Sequence, residues 1–247
     1  MCGRYAATKD PAALALEFEV LGELPEPLLP NYNVAPTDPV HIVALRGRGD
    51  ILERVLLVAR WGLVPSWAKD PSIGSTMINA RAETAAQKPS FHRAFAKRRC
   101  LVPADGYYEW YLPTEPGAPV GARGKPAKQP FYISSTDGSS LAMAGLYEWW
   151  HDPAGQQDDP ESWRLTCTVI TTAAAGDLSR IHDRMPVMVA RADWAAWLDP
   201  DARAAEEILT RGASGVELQA FPVSVTVNNV RNNGPELITP LPTEPLR

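Results

Sequence analysis

Prolines interrupt this chain so often that few segments could hold a long helix. There are 24 of them among 247 residues, joined by 17 glycines. Proline breaks a helix interior and is excluded from central strand positions, so the pattern enforces many short elements separated by turns. Between the breaks lie "CLVPADGYYEWYL", "PFYISST", "LAMAGLYEWW" and "WRLTCTVITTAA". These runs are rich in β-branched and aromatic residues and read as strands. "HIVALRGRGDILERVLLVARWGLV" reads as two strands around a turn at Gly47 to Asp50. "DPAALALEFEV" reads as a helix with Asp10 as N-cap and Pro11 in its first position. "SFHRAFAKRR" reads as a short basic helix, and "RADWAAWL" and "DARAAEEILT" as late helices. The sum is an α+β domain around a curved, largely antiparallel sheet. It is expected to run from residue 1 to 235. Residues 113–129 and 151–162 are surface loops between strands, and 236–247 is a proline-rich tail, extended or frayed.

The composition excludes several classes. Hydrophobic residues make up 45% and charged residues 21%, ordinary for a soluble globular chain. No stretch approaches the ~20 apolar residues of a membrane span. No basic-then-apolar leader is seen, because acidic residues arrive within the first helix. Cys2, Cys100 and Cys167 are odd in number and far apart, which gives neither a disulfide framework nor a metal pair. His41, His92, His151 and His182 lack metal-ligand spacing. No P-loop, GxGxxG or GxSxG is present. A metal-free, cofactor-free, cytoplasmic monomer is the simplest expectation. The net charge of −5 argues against a nucleic-acid partner. Its distribution argues the other way: between Met77 and Arg99 stand Arg81, Lys88, Arg93, Lys97, Arg98 and Arg99 against one acid, Glu83. Local field steers a polyanion more than net charge does, although such a run is also what a solvated helix face looks like.

Four segments mix ionisable residues with Gly, Pro or aromatics outside any simple periodicity: "MCGRY", "INARAET", "PADGYYEW" and "IHDRMPV". Initiator methionine is usually removed before a small residue, which would leave Cys2 with a free α-amine beside its thiol. The amine titrates near about 7.7–8.0 and the thiol near about 8.5, so both are partly nucleophilic at neutral pH. The amine adds to an aldehyde to give an imine, and the thiol closes on it as a five-membered thiazolidine. Adjacent placement gives that closure a high effective molarity. An inert, buried cysteine is the plain alternative. Glu109 follows an aromatic pair, and desolvation would raise its pKa toward proton transfer, unless it is simply exposed on an edge strand. His182 sits in a turn before "PVMVA" and could shuttle protons or merely bond to backbone. Asn79 could orient an amine or cap a helix. Arg81 and Arg184 could clamp phosphate.

Taken together, and with "NYNVAP", "RWGLVPSW", "FYI", "AGLYEWW" and "TCTVITTAA", these segments resemble the SRAP family, the SOS-response-associated peptidases or abasic-site processing proteins. The resemblance spans most of the chain and implies a single barrel-like SRAP-type domain with flanking short helices. It implies that the mature protein begins at Cys2 and binds single-stranded DNA containing abasic sites, with no metal and no membrane. There the sugar aldehyde would react with Cys2 to form a thiazolidine DNA–protein crosslink that shields the lesion. In a bacterium such a protein is cytoplasmic, and nucleoid-associated when bound to DNA. The resemblance places Cys2 as nucleophile, with Asn79 orienting the N-terminus, Glu109 transferring protons and His182 protonating the sugar ring oxygen. It places Arg4, Trp67, Arg81 and Arg184 against DNA. An abasic-site lyase side activity, self-reversal and removal of Met1 by a peptidase activity are also implied. Two other classes fit the same residues: an N-terminal-nucleophile or thiol hydrolase, and a non-catalytic single-strand DNA-binding module. The insertion at 113–129 is the departure from the family pattern.

Overall fold

The structure is a computed structural model and describes residues 2–48, 51–113, 124, 126–201, 203–212 and 215–242. In chain order its described strands are β1 (Tyr5–Ala7), β2 (Asn31–Val34), β3 (Pro39–Arg48), β4 (Ile51–Trp61), β5 (Asn79–Arg81), β6 (Arg99–Ala104), β7 (Gly106–Tyr111), β8 (Gln129–Ser135), β9 (Leu141–His151), β10 (Trp163–Ala173), β11 (Arg184–Pro186) and β12 (Leu218–Pro222). The helices are α1 (Pro11–Phe18), α2 (Ala82–Ala85), α3 (His92–Lys97), α4 (Trp194–Leu198) and α5 (Ala205–Arg211). All are short, as the proline spacing requires. Helix α1 starts as expected: the Asp10 carboxylate accepts from the Ala13 amide at 2.8 Å, and Pro11 occupies the first turn.

The strands form two sheets. One is antiparallel with order β12-β8-β7-β1-β2. In the other, β10, β4, β3, β6 and β9 pair in succession, and β9 pairs back with β10, closing a ring. The fold is therefore α+β and barrel-like, largely antiparallel with short flanking helices. Two pairings are parallel, β10 with β4 and β10 with β5. Strand alternation builds two interiors from one sequence. Ile42, Ala44, Cys100 and Val102 face a core shared with Cys2, Tyr5 and Tyr107. Their neighbours Val43 and Leu101 face the helices, with Phe18, Phe95 and Trp197.

Three expectations change. "CLVPADGYYEWYL" is two strands, β6 in the ring and β7 in the other sheet. The switch occurs at Asp105, whose carboxylate accepts from the amide and hydroxyl of Thr8, both at 2.7 Å. The chain can turn there because Gly106 lies against Tyr132; a Cβ would meet the Tyr132 ring at 2.4 Å. The C-terminal segment does not fray at once: a 3₁₀ turn over Pro235–Ile238 buries Leu237 fully against Tyr108 and Tyr132. The basic run is only partly a surface feature. Arg99 is buried, its guanidinium donating to the carbonyls of Trp197 (2.6 Å), Phe95 (2.9 Å) and Asp199. Arg98 pairs with the buried Glu148 at 2.7 Å. Arg81, Lys88, Arg93 and Lys97 remain exposed. Strands β3 and β4 pair antiparallel up to Arg48 and Ile51 as expected. Gly49 and Asp50 of the expected turn, and most of the 113–129 insertion, lie outside the described residues.

Candidate active site

Register explains how Cys2 meets Glu109. Strand β1 pairs antiparallel with β7, Tyr5 opposite Tyr107, and the Tyr108 amide donates to the Arg4 carbonyl at 2.9 Å. Carried outward, that register brings the N-terminal residues alongside Glu109. Alternation along "GYYEWY" then sorts the faces. Tyr108 and Trp110 pack on the outer cluster with Val227 and Leu237, whereas Tyr107 shares the core of Cys2 and Tyr5. Glu109 lies on the Tyr107 face. It is buried, with 4% of its surface exposed.

The other two groups arrive from elsewhere in the fold. Strand β5 runs parallel to β10 and carries Asn79, whose Nδ2 donates to the Cys2 carbonyl at 2.7 Å. The Oδ1 of Asn79 is buried and accepts nothing, so an acceptor is left beside the chain's first residues. Asn79 is not a helix cap; Arg81 holds the cap position of α2, without a side-chain bond. His182 follows a 3₁₀ turn over Gly176–Arg180 and precedes β11. Its Nε2 lies 3.9 Å from Glu109 Oε2, in ion-pair range but longer than a hydrogen bond. Its Nδ1 lies 3.0 Å from the Arg184 amide and 2.8 Å from Asp183 Oδ1. These neighbours demand opposite states of one nitrogen. A bare Nδ1 accepts from the amide and leaves the ring proton on Nε2, toward Glu109. A protonated Nδ1 donates to Asp183. The loop thus offers Nδ1 a partner in either ring tautomer.

Burial dominates the electrostatics. It raises the Glu109 carboxyl above the usual range, with the His182 charge pulling the other way. The Cys2 side chain is fully buried, and its thiol is raised far above its ordinary value, first by desolvation and second by the charge of Glu109. The sequence-based expectation of a partly ionised thiol is therefore corrected: Cys2 is held as the neutral thiol, and a base must take its proton as it reacts. Cys100 and Cys167 are buried and raised for the same reason.

The residues expected against DNA divide. Arg81 is exposed at the end of β5. Trp67 is 54% exposed, with its Nε1 3.5 Å from the Pro89 carbonyl, against the segment leading into α3. Arg4 is half-buried and donates to Asn33 Oδ1 at 2.7 Å and the Val227 carbonyl at 3.0 Å, with its guanidinium 5.8 Å from the Trp110 ring. Arg184 donates to both carboxylate oxygens of Glu83, at 2.5 and 3.0 Å, and to the Thr171 carbonyl at 2.5 Å. Sequence reasoning counted Glu83 only as the one acid in a basic run. Its role as partner of Arg184 spans 101 residues, and no local periodicity signals it. Thr171, 13 residues from Arg184, was missed for the same reason, whereas Asp183 adjoins His182 in the sequence and only the turn aims its carboxylate at the ring. Among the described residues no group of His, Cys, Asp or Glu could hold a metal, and no helix is long and apolar enough to cross a membrane.

Comparison with known proteins places the chain in a family. The family model described as SOS response associated peptidase (SRAP) matches residues 1–230. "Abasic site processing protein YoqW" of Bacillus subtilis (strain 168) is 37% identical over 241 residues, which cover 96% of this chain and 99% of YoqW. "Abasic site processing protein HMCES" of Mus musculus is 32% identical, over 87% of this chain and 66% of HMCES. A solved structure of a Bacteroides thetaiotaomicron protein superposes with a TM-score of 0.76 over 97% of this chain and 100% of that one; at 24% identity the likeness is one of fold. A phage-related protein from Bordetella bronchiseptica gives 0.61 at 28% identity, over 90% and 94%. The whole-chain match and the shared architecture lead to one conclusion: the chain belongs to the SOS response associated peptidase (SRAP) family.

Proposed function

We propose that the protein processes abasic sites in single-stranded DNA by forming a covalent thiazolidine between Cys2 and the sugar aldehyde. The observation that carries this reading is the convergence of Cys2, Asn79, Glu109 and His182 from four separated stretches of chain, with Cys2 and Glu109 buried and Asn79 and His182 partly exposed. The abasic-site processing names of YoqW and HMCES support the same substrate.

The chemistry requires removal of Met1, because an amide nitrogen cannot form an imine. The freed amine of Cys2 then adds to the aldehyde carbon, and the resulting hydroxyl leaves as water. The thiol then adds to the protonated C=N bond: sulfur bonds to carbon, the thiol proton passes to Glu109, and nitrogen keeps its one hydrogen. Protein and DNA combine with net loss of one water. Glu109 serves both halves. Protonated, as burial favours, it donates to the departing hydroxyl. The carboxylate so formed takes the proton of the neutral Cys2 thiol during ring closure. The same group run backward gives reversal. His182 protonates the sugar ring oxygen as it opens. Asn79 holds the Cys2 carbonyl through Nδ2 and offers Oδ1 to the amine. Arg81 and Trp67 meet the strand from the surface, Arg184 by exchanging Glu83 for a phosphate, and Arg4 from its half-buried position. β-Elimination from the imine gives a lyase side reaction.

The test is intact mass before and after incubation with an oligonucleotide carrying one abasic site. The starting mass must lack Met1. A new species at protein plus DNA minus water is expected, absent from Cys2→Ala. A chain beginning at Cys2 that forms no such adduct refutes the proposal.

A further inference from the structure

Beside Glu109 and His182 the fold forms an apolar cleft of about 360 Å³ that no step above uses. Its floor comes from the sheet. Phe131 is the direct cross-strand partner of Glu109, so the two side chains share a face. Tyr111 lies two residues beyond Glu109 on the same strand face, about 6.8 Å along it. The rings of Tyr111 and Phe131 meet edge to face, with centroids 6.4 Å apart. The opposite wall is Leu178, in the 3₁₀ turn over Gly176–Arg180, and Ile181, which follows that turn and adjoins His182. At the rim, Arg180 lies 3.7 Å from Asp177, and both are largely exposed. That pair cancels its own charge, so the cleft does not select an anion. It offers flat aromatic and aliphatic surface, and its volume lies within the ~300–1,000 Å³ of small-ligand sites.

We infer that this cleft is a stacking subsite for one nucleobase, that of a nucleotide directly flanking the abasic residue. The inference rests on the proposed function, and its occupant follows from continuity. A strand whose bare sugar reaches Cys2 and Glu109 must place a neighbouring nucleotide within one sugar–phosphate step of them. The apolar cleft begins at Glu109's own strand partner. Every base presents a π-face, so aromatic walls accept any base and read little sequence. The subsite distinguishes an isolated abasic residue with an intact neighbour from a run of missing bases. It also gives the protein a polarity on the strand, since only one neighbour can enter.

The experiment measures binding of the mature protein to single strands carrying tetrahydrofuran in place of the abasic sugar. This analogue has no aldehyde and cannot crosslink, so fluorescence anisotropy reports equilibrium affinity. Three strands are compared: both flanking bases present, the 5′ base removed, and the 3′ base removed. Wild type should lose about tenfold or more in Kd on removal of one of the two, as expected for one stacked base. Tyr111→Ala and Ile181→Ala, on opposite walls, should each bind the intact strand more weakly and show no further loss when that base is removed. Equal binding of wild type to all three strands overturns the proposal. So does an unchanged flanking-base dependence in both variants while they melt earlier, because the cleft is then filled by the protein's own chain. Crosslinking of wild type to a true abasic strand is followed by mass in parallel. An adduct without flanking-base dependence sinks the subsite alone, and flanking-base dependence without an adduct sinks the covalent function.

Discussion

Replacing Glu109 by Gln separates catalysis from structure, because the two roles predict opposite signs. Glutamine keeps the shape and the hydrogen-bonding capacity and removes the titratable proton. General acid–base catalysis by one positioned group contributes about 10²–10⁴-fold. His182, 3.9 Å away, can relay part of that work, so the lower end is expected: about a 100-fold slower crosslink, or about 2.7 kcal/mol of barrier. One effect opposes this. The Glu109 charge helps to raise the Cys2 thiol, so its removal leaves the thiol more acidic. Burial is the larger cause of that shift and persists in the variant, so loss of the proton carrier wins. Stability should move the other way. Burial raises the folded-state pKa of Glu109 above its unfolded value of about 4.3. Between those values the folded protein holds more protons, and its stability falls as pH rises. The glutamine variant carries no such penalty. The assay is single-turnover crosslinking at pH 7 on denaturing gels, with thermal melts of both proteins at pH 5 and pH 8. The variant should react about 100-fold more slowly, melt no lower than wild type, and gain on wild type at pH 8 relative to pH 5. A rate within about threefold of wild type would falsify the proton-transfer role. A variant that melts well below wild type at pH 8 refutes the electrostatic reasoning and makes the carboxylate a structural group.

Other perturbations test the rest of the structure. Arg99→Ala leaves two buried carbonyls and a part-buried one without their donor and should cost about 3 kcal/mol or more. Calorimetry should register that as a melting temperature lower by about 6 °C or more, while the salt dependence of single-strand binding stays as in wild type. Arg81→Ala should do the reverse: an unchanged melt, and a plot of log K against log salt shallower by about 0.7, one phosphate contact on a single strand. An unaltered slope removes Arg81 from the interface. Gly62 has φ +129°, and a Cβ there would meet the Gly74 carbonyl oxygen at 2.5 Å, a backbone atom that cannot swing away. Gly62→Ala should therefore destabilise by about 2 kcal/mol or more; a melt equal to wild type contradicts the close approach of these two segments.

What the sequence determined by itself is what neighbours in the chain decide. The Asp10–Pro11 start of α1, the short elements between prolines and the strands over 39–61, 129–135, 141–151 and 163–173 follow from local propensity and periodicity. The four chemical segments were legible as well, because each gathers polar and aromatic residues that no core periodicity explains. Contacts across the fold were not legible. The break of one apparent strand at Asp105 depends on Thr8 and on Tyr132 packing over Gly106. Asn79 reaches Cys2 across 77 residues because β5 lies parallel to β10. Arg99 looks like its exposed basic neighbours in the sequence and is buried, because the carbonyls that hold it come from α3 and the end of α4. Above all, the state of the Cys2 thiol was open. Its residue type implies a value near about 8.5, but burial and the Glu109 charge move it upward, and both arise only when β1 and β7 pair. A pKa measures the free energy of ionising a group in its surroundings, and those surroundings come from the whole fold.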